Sequence, residues 1–275
     1  MLQTTQSPAN NSSDIMLQWA NRALIATVWI SAILFGLYIL AFYAASLFNG
    51  NMEKWNKVLP KVYEPHTRNA TMSIGLHFTA GGVILVMGCI QVIRRIRELY
   101  PLLHRWVGRI YVVASILASI GGLLFIFFKG TVGGTVMDIG FALYGILMFW
   151  CAIETIRHAR GKNFQKHRVW ALRLFALAIG SWLYRMEYGF WFLLTGRAGH
   201  TSDFHGWFDY IMSFFFYIPN LIIVEMMVRS RNKESSAGFK IITSIILFFA
   251  TAFISLGTYF FVTHLWGPAI IGLFQ

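Results

Sequence analysis

The chain has 275 residues, 57% of them hydrophobic and 17% aromatic, with only 12% charged, and a mean hydropathy of +0.59. Soluble domains carry about twice that charged fraction, so composition excludes a water-soluble core and leaves a polytopic membrane protein. The formal charge of +12 lies in short loops between apolar runs, which argues against a nucleic-acid surface and for positive-inside topology.

In chain order, residues 1–18 form a polar tail without lysine or arginine. A secretory signal needs a basic start, a short apolar stretch and a small-residue cleavage site. The apolar run here is too long for that and reads as a retained first span. Residues 19–275 then form a single transmembrane domain with seven stretches long enough, as helices, to cross about 30 Å of hydrocarbon. They fall near 19–48, 71–93, 108–128, 134–156, 167–194, 206–228 and 239–265. The expected class is an all-α transmembrane bundle. Asn11-Ser12-Ser13 and Asn69-Ala70-Thr71 fit the short, common glycosylation pattern. Cys89 and Cys151 lie within spans, where they read as packing thiols rather than a disulfide.

Loop charges orient the bundle. Residues 94–109, 157–173 and 229–240 hold fifteen Lys and Arg, and the alternate connections hold six. The first set is therefore expected in the cytoplasm of an inner-membrane protein, with the N-terminus inside and the C-terminus outside.

Two of those cationic loops repeat a pattern. His104-Arg105-Trp106-Val107-Gly108-Arg109-Ile110-Tyr111 returns sixty-three residues later as His167-Arg168-Val169-Trp170-Ala171-Leu172-Arg173. At the same offset Gly82 matches Gly145, Arg94 matches Arg157, Arg97 matches Arg160, and Gln91 stands opposite Glu154. A duplicated helix-loop-helix hairpin, spans two and three against four and five, accounts for this. Helical stripes fit it: His77, Gly81, Ile84, Gly88, Gln91 and Arg95 share one face of span two, and small or polar residues on one face favour helix contact in lipid. His104, Gly108, Tyr111, Ser115, Ala118 and Gly122 repeat the stripe in span three, and His167, Ala171, Leu174, Ala178, Ser181 and Arg185 in span five.

The ionisable residues divide into two levels. An inner level gathers Gln91, Arg95, His104, Arg105, Arg109, Glu154, His158, His167, Arg168, Arg173 and Glu225. An outer level gathers His77, Arg185, Glu187, Asp209 and Asn220, with Asp138 and His264 near it. Charges at membrane depth cost about 3 kcal/mol or more and are normally paired or functional. Interfacial anchoring explains the loop arginines, but an anchor needs no histidine, and the His-Arg pair occurs twice. Two helix N-termini with four cationic or protonatable side chains form an electropositive place suited to an anion. Glu225, Glu154, a lipid phosphate and haem propionates are the candidates.

These residues, together with the ending Pro219-Asn220-Leu221-Ile222-Ile223-Val224-Glu225, resemble the bacterial membrane proteins grouped as domain-of-unknown-function family 2306. The resemblance covers roughly residues 71–228 and departs from the expected pattern at Ala171, where methionine is expected. It implies a multi-helix membrane fold and a shared polar site, and it brings no established activity.

Three functions stay open. Ligand binding at the inner site (His104, Arg105, Arg109, His167, Arg168, Arg173, Gln91, Arg95 and Glu225) would take membrane lipid or a small anionic solute. A redox protein would hold haem b or a quinone, with His104 and His167, or His77 and His264, as haem candidates. An accessory subunit, in a homo-oligomer or with a membrane partner, would use its polar groups only to bond helices together. No serine or cysteine stands in a nucleophile elbow, and the Glu154 to His158 step lacks the further ligands of a metal site.

Overall fold

The computed structural model describes residues 12–272 except 233, with the side chains of 92 and 94 also outside it. Most of the polar tail, Asn11 of the first glycosylation pattern, Lys233 of a cationic loop and the Arg94 side chain thus lie outside the described residues. Among the described residues there is no strand. The helices are α1 (Ser12–Phe48, with a π-helical turn at Leu40–Ala44), α2 (Arg68–Val92), the short α3 (Arg94–Leu99), α4 (Pro101–Lys129) and α5 (Gly134–Arg160). They continue as α6 (Phe164–Ala178), α7 (Gly180–Thr195), α8 (Trp207–Phe215), α9 (Ile218–Ser230) and α10 (Ala237–Ile271).

Six helical stretches among the described residues are long and apolar enough to cross a membrane: α1, α2, α4, α5, α8 with α9, and α10. The first begins at Ser12 rather than residue 19, because the polar residues there continue the helix. The expected fifth span differs more. It is two helices, interrupted at Ile179 (φ −81°, ψ −10°), where the Trp182 and Leu183 amides both bond to the Ile179 carbonyl, at 3.2 and 3.1 Å. Glycine-serine pairs are common sites of helix kinks, and Gly180-Ser181 follows at once.

The span made of α8 and α9 is interrupted too, ahead of Pro219, whose ring nitrogen carries no donor. The two interruptions meet. A Cβ at Gly180 would lie 3.3 Å from the Phe216 ring and 3.4 Å from its carbonyl. Backbone freed inside a bundle needs new partners, and side chains supply them: the Tyr144 hydroxyl donates to the Leu177 carbonyl at 2.8 Å, and Asn220 Nδ2 to the Phe216 carbonyl at 2.8 Å.

Packing follows the expected hairpins, α2 against α4 and α5 against α6, and α1 closes on α2 and α10. The interrupted α6–α7 chain runs through the core, with Leu174, Leu177, Trp182 and Met186 all fully buried. Lys240 pairs with Asp14 at 2.8 Å and Arg231 Nη2 lies 3.4 Å from Asn21 Oδ1. The start of α1 is therefore on the same end of the bundle as the α9–α10 connection. Along the expected stripe of α2, His77, Gly88 and Gln91 meet α4, whereas a Cβ at Gly81 meets nothing. The glycine that receives α1 is Gly82, off that stripe, where a Cβ would meet the Leu40 side chain at 2.7 Å.

Candidate functional site

Each His-Arg pair sits in the first turn of a helix. Pro101 opens α4, where a missing N–H costs nothing, and Asn163 caps α6 by accepting from the Lys166 amide at 3.1 Å. The positive charges of Arg97 and His167 both bear on the His104 ring. His167 Nδ1 lies 2.9 Å from the Thr155 carbonyl oxygen. A carbonyl only accepts, so that nitrogen carries the proton and Nε2 is left with the lone pair. Gln91 Nε2 donates to the His104 carbonyl at 3.2 Å, passing Gly108, where a Cβ would lie 3.0 Å from Gln91 Oε1. The Nδ1 atom of His104 is buried with no hydrogen-bond partner among the described residues.

The arginines divide by role. Arg109 stacks on Trp106 at 4.9 Å and Arg173 on Trp170 at 4.7 Å, so a guanidinium over an indole recurs in both hairpins. Arg173 also pairs with Glu225 at 3.0 Å, and Glu225 takes Arg229 at 3.2 Å. Arg105, whose Nε donates to the Pro101 carbonyl at 3.2 Å, is exposed, as are Arg95 and Arg168. Arg168 lies within reach of the charge on Arg231. Glu154 is buried and held by Arg157 at 2.8 Å and His158 at 3.3 Å, beside a 520 Å³ groove that also takes in Lys166, Trp170 and Arg173. Arg97 and Arg231 were missed as members of this cluster. Both fall in connections, where no periodicity announces which way a side chain turns.

The outer level does not form one site. Asp209 is fully buried and serves the loop before α8: it accepts from the Tyr188 hydroxyl at 2.7 Å, the Gly206 amide at 3.0 Å and the Thr201 amide at 3.1 Å, with His200 Nδ1 at 2.7 Å. Glu187 has one buried oxygen without a partner. His264 is exposed and stacks on Phe260 at 4.6 Å. His77 and Arg185, by contrast, line one 400 Å³ cavity bounded by α2, α4, α5 and α7. Phe141, Tyr144, Tyr184 and Phe216, aromatic residues that no spacing in the chain groups together, form its walls.

With Nδ1 tied to a carbonyl in both His77 and His167, Nε2 is the nitrogen that a neutral ring would offer a haem iron or a donor. His264 is not among the residues around the His77 cavity. Among the described residues no three His, Cys, Asp or Glu gather as a metal site.

A family model described as "Predicted membrane protein (DUF2306)" matches residues 74–228. No curated protein and no solved structure matches the chain.

Proposed function

The chain belongs to the DUF2306 family of predicted membrane proteins, and we propose that it is an inner-membrane binding protein whose His-Arg end takes an anionic group. The N-terminus and the His-Arg loops face the cytoplasm, and the C-terminus faces out. The buried Nδ1 of His104, which lacks a hydrogen-bond partner, is the observation that carries this assignment. A buried imidazole nitrogen without a partner is a costly arrangement, and a ligand oxygen would relieve it. Arg97, Arg105, Arg168 and Arg231 bring guanidinium groups to the same end, and such groups suit phosphate and carboxylate geometry. Glu225 is engaged by Arg173 and Arg229.

Native mass spectrometry tests the assignment. Wild-type protein in mixed phosphatidylglycerol and phosphatidylcholine nanodiscs is expected to keep phosphatidylglycerol selectively, and Arg105→Ala/Arg168→Ala to lose that selectivity. A parallel titration with inorganic phosphate separates a soluble anion from a lipid headgroup. The absence of both lipid selectivity and phosphate binding in the wild type would refute the assignment.

A further inference from the structure

The cavity at the opposite end of the bundle holds a cation without a counter-charge. Arg185 Nη1 donates to the Ser181 carbonyl at 2.6 Å, its guanidinium carbon lies 5.3 Å from the Phe35 ring centroid, and its Nε is buried with no partner. Among the described residues no ion pair includes it. Glu187 is on the same helix, but two residues along a helix is more than half a turn, and one of its own oxygens is buried and unmet. His77, with Nδ1 committed to the Ala118 carbonyl at 2.8 Å, offers the cavity a polar edge and not a carboxylate.

Around this cation the walls are apolar and aromatic, and the mouth is basic. Lys61 and Lys129 stand there, and the one carboxylate among the lining residues, Glu64, is taken by Lys129 at 3.0 Å. The cavity also lies where the two interrupted spans meet, since Ser181, Arg185 and Phe216 all line it. Membrane proteins that bind anionic solutes commonly do so beside such broken helices. A buried cation at membrane depth is retained when something meets its charge. A single guanidinium matches a planar carboxylate in bidentate fashion, and the walls require that the rest of the molecule be apolar.

We propose that this cavity binds a carboxylate carried on an apolar body, a fatty acid or an aromatic acid, with the head on Arg185 and the body along Phe141, Tyr184 and Phe216. The site is separate from the His-Arg end and does not depend on it.

The test uses the full-length protein in phosphatidylcholine nanodiscs with 2-naphthoate, its neutral amide 2-naphthamide, and decanoate as competitor. Wild type is expected to bind the acid roughly tenfold more tightly than the amide, the scale of one charge-assisted bond. Arg185→Gln should erase that preference while leaving amide binding unchanged. Should Arg185→Gln fail to fold, Arg185→Lys carries the test: it keeps the charge but not the fork, and should weaken the acid several-fold without affecting the amide. Displacement by decanoate assigns an alkyl body, and its failure assigns an aromatic one. Arg105→Ala/Arg168→Ala should leave all of these constants unchanged. The proposal is overturned if neither acid binds, or if every Arg185 variant binds naphthoate as the wild type does.

Discussion

His77 Nδ1 lies 2.8 Å from the carbonyl oxygen of Ala118, so one side-chain bond pins α2 to α4 beside the point where two glycines bring the backbones together. A Cβ at Gly122 would lie 3.1 Å from that same nitrogen, and one at Gly121 would lie 2.6 Å from the Ser73 carbonyl and 2.9 Å from the His77 amide. The histidine is thus held by helix packing before any ligand is considered.

Gly121→Ala should therefore destabilise the fold. The obstructing atoms are backbone and cannot rotate away, so overpacking of about 1–3 kcal/mol is expected. Gly81→Ala, where a Cβ meets nothing within 4 Å, should be near neutral. Thermal melting of both variants in one detergent checks the order. Equal melting temperatures would show that α2 and α4 are not in this contact.

Asp209 and Glu225 are both carboxylates near helix ends, yet their removal should differ in scale. Asp209→Ala leaves a buried hydroxyl and two amides without their acceptor, a loss of about 3 kcal/mol or more. Glu225→Ala breaks partly exposed pairs worth about 1 kcal/mol or less. Limited proteolysis should cut the 196–206 loop faster in Asp209→Ala and leave Glu225→Ala like the wild type.

Tyr144→Phe isolates the interruption of the central span. It removes the donor that satisfies the Leu177 carbonyl at a cost of about 1 kcal/mol and keeps the ring. Hydrogen exchange of the amides in 177–183 should accelerate selectively. A uniform change across the bundle would mean that the hydroxyl does not serve the break.

Much of this fold is legible in the residues, and the reasons for the rest are specific. Apolar run length, loop glycines and loop arginines mark the spans, because lipid imposes helices of a set length. The break at Ile179 is not marked by run length, since the hydrophobic pattern continues through it. Gly180-Ser181 was the available signal, and only the Phe216 contact shows that it is used. The repeated His-Arg pair marks the two helix starts at which His104 and His167 stand. The pairing of Glu225 with Arg173 needed three dimensions, because the two stand on different helices, α9 and α6, whereas Arg229 follows Glu225 by one turn on α9 itself. Asp209 looked like a member of a polar layer and proves to organise its own loop, a local role that charge at membrane depth does not distinguish.

Reporter fusions address orientation. A reporter active only in the cytoplasm should work when attached at the N-terminus, or within the 157–166 connection, and fail at the C-terminus. The reverse pattern would place the His-Arg end outside.

The most direct test of the anion site is imidazole nitrogen NMR on protein in phosphatidylcholine nanodiscs, with His104→Gln and His167→Gln assigning the two rings. Adding phosphatidylglycerol, or inorganic phosphate in a separate titration, is predicted to shift both resonances together and with one affinity, and Arg105→Ala/Arg168→Ala should weaken the response. If His104 and His167 respond independently, or neither responds to either anion, the two helix starts do not form one site.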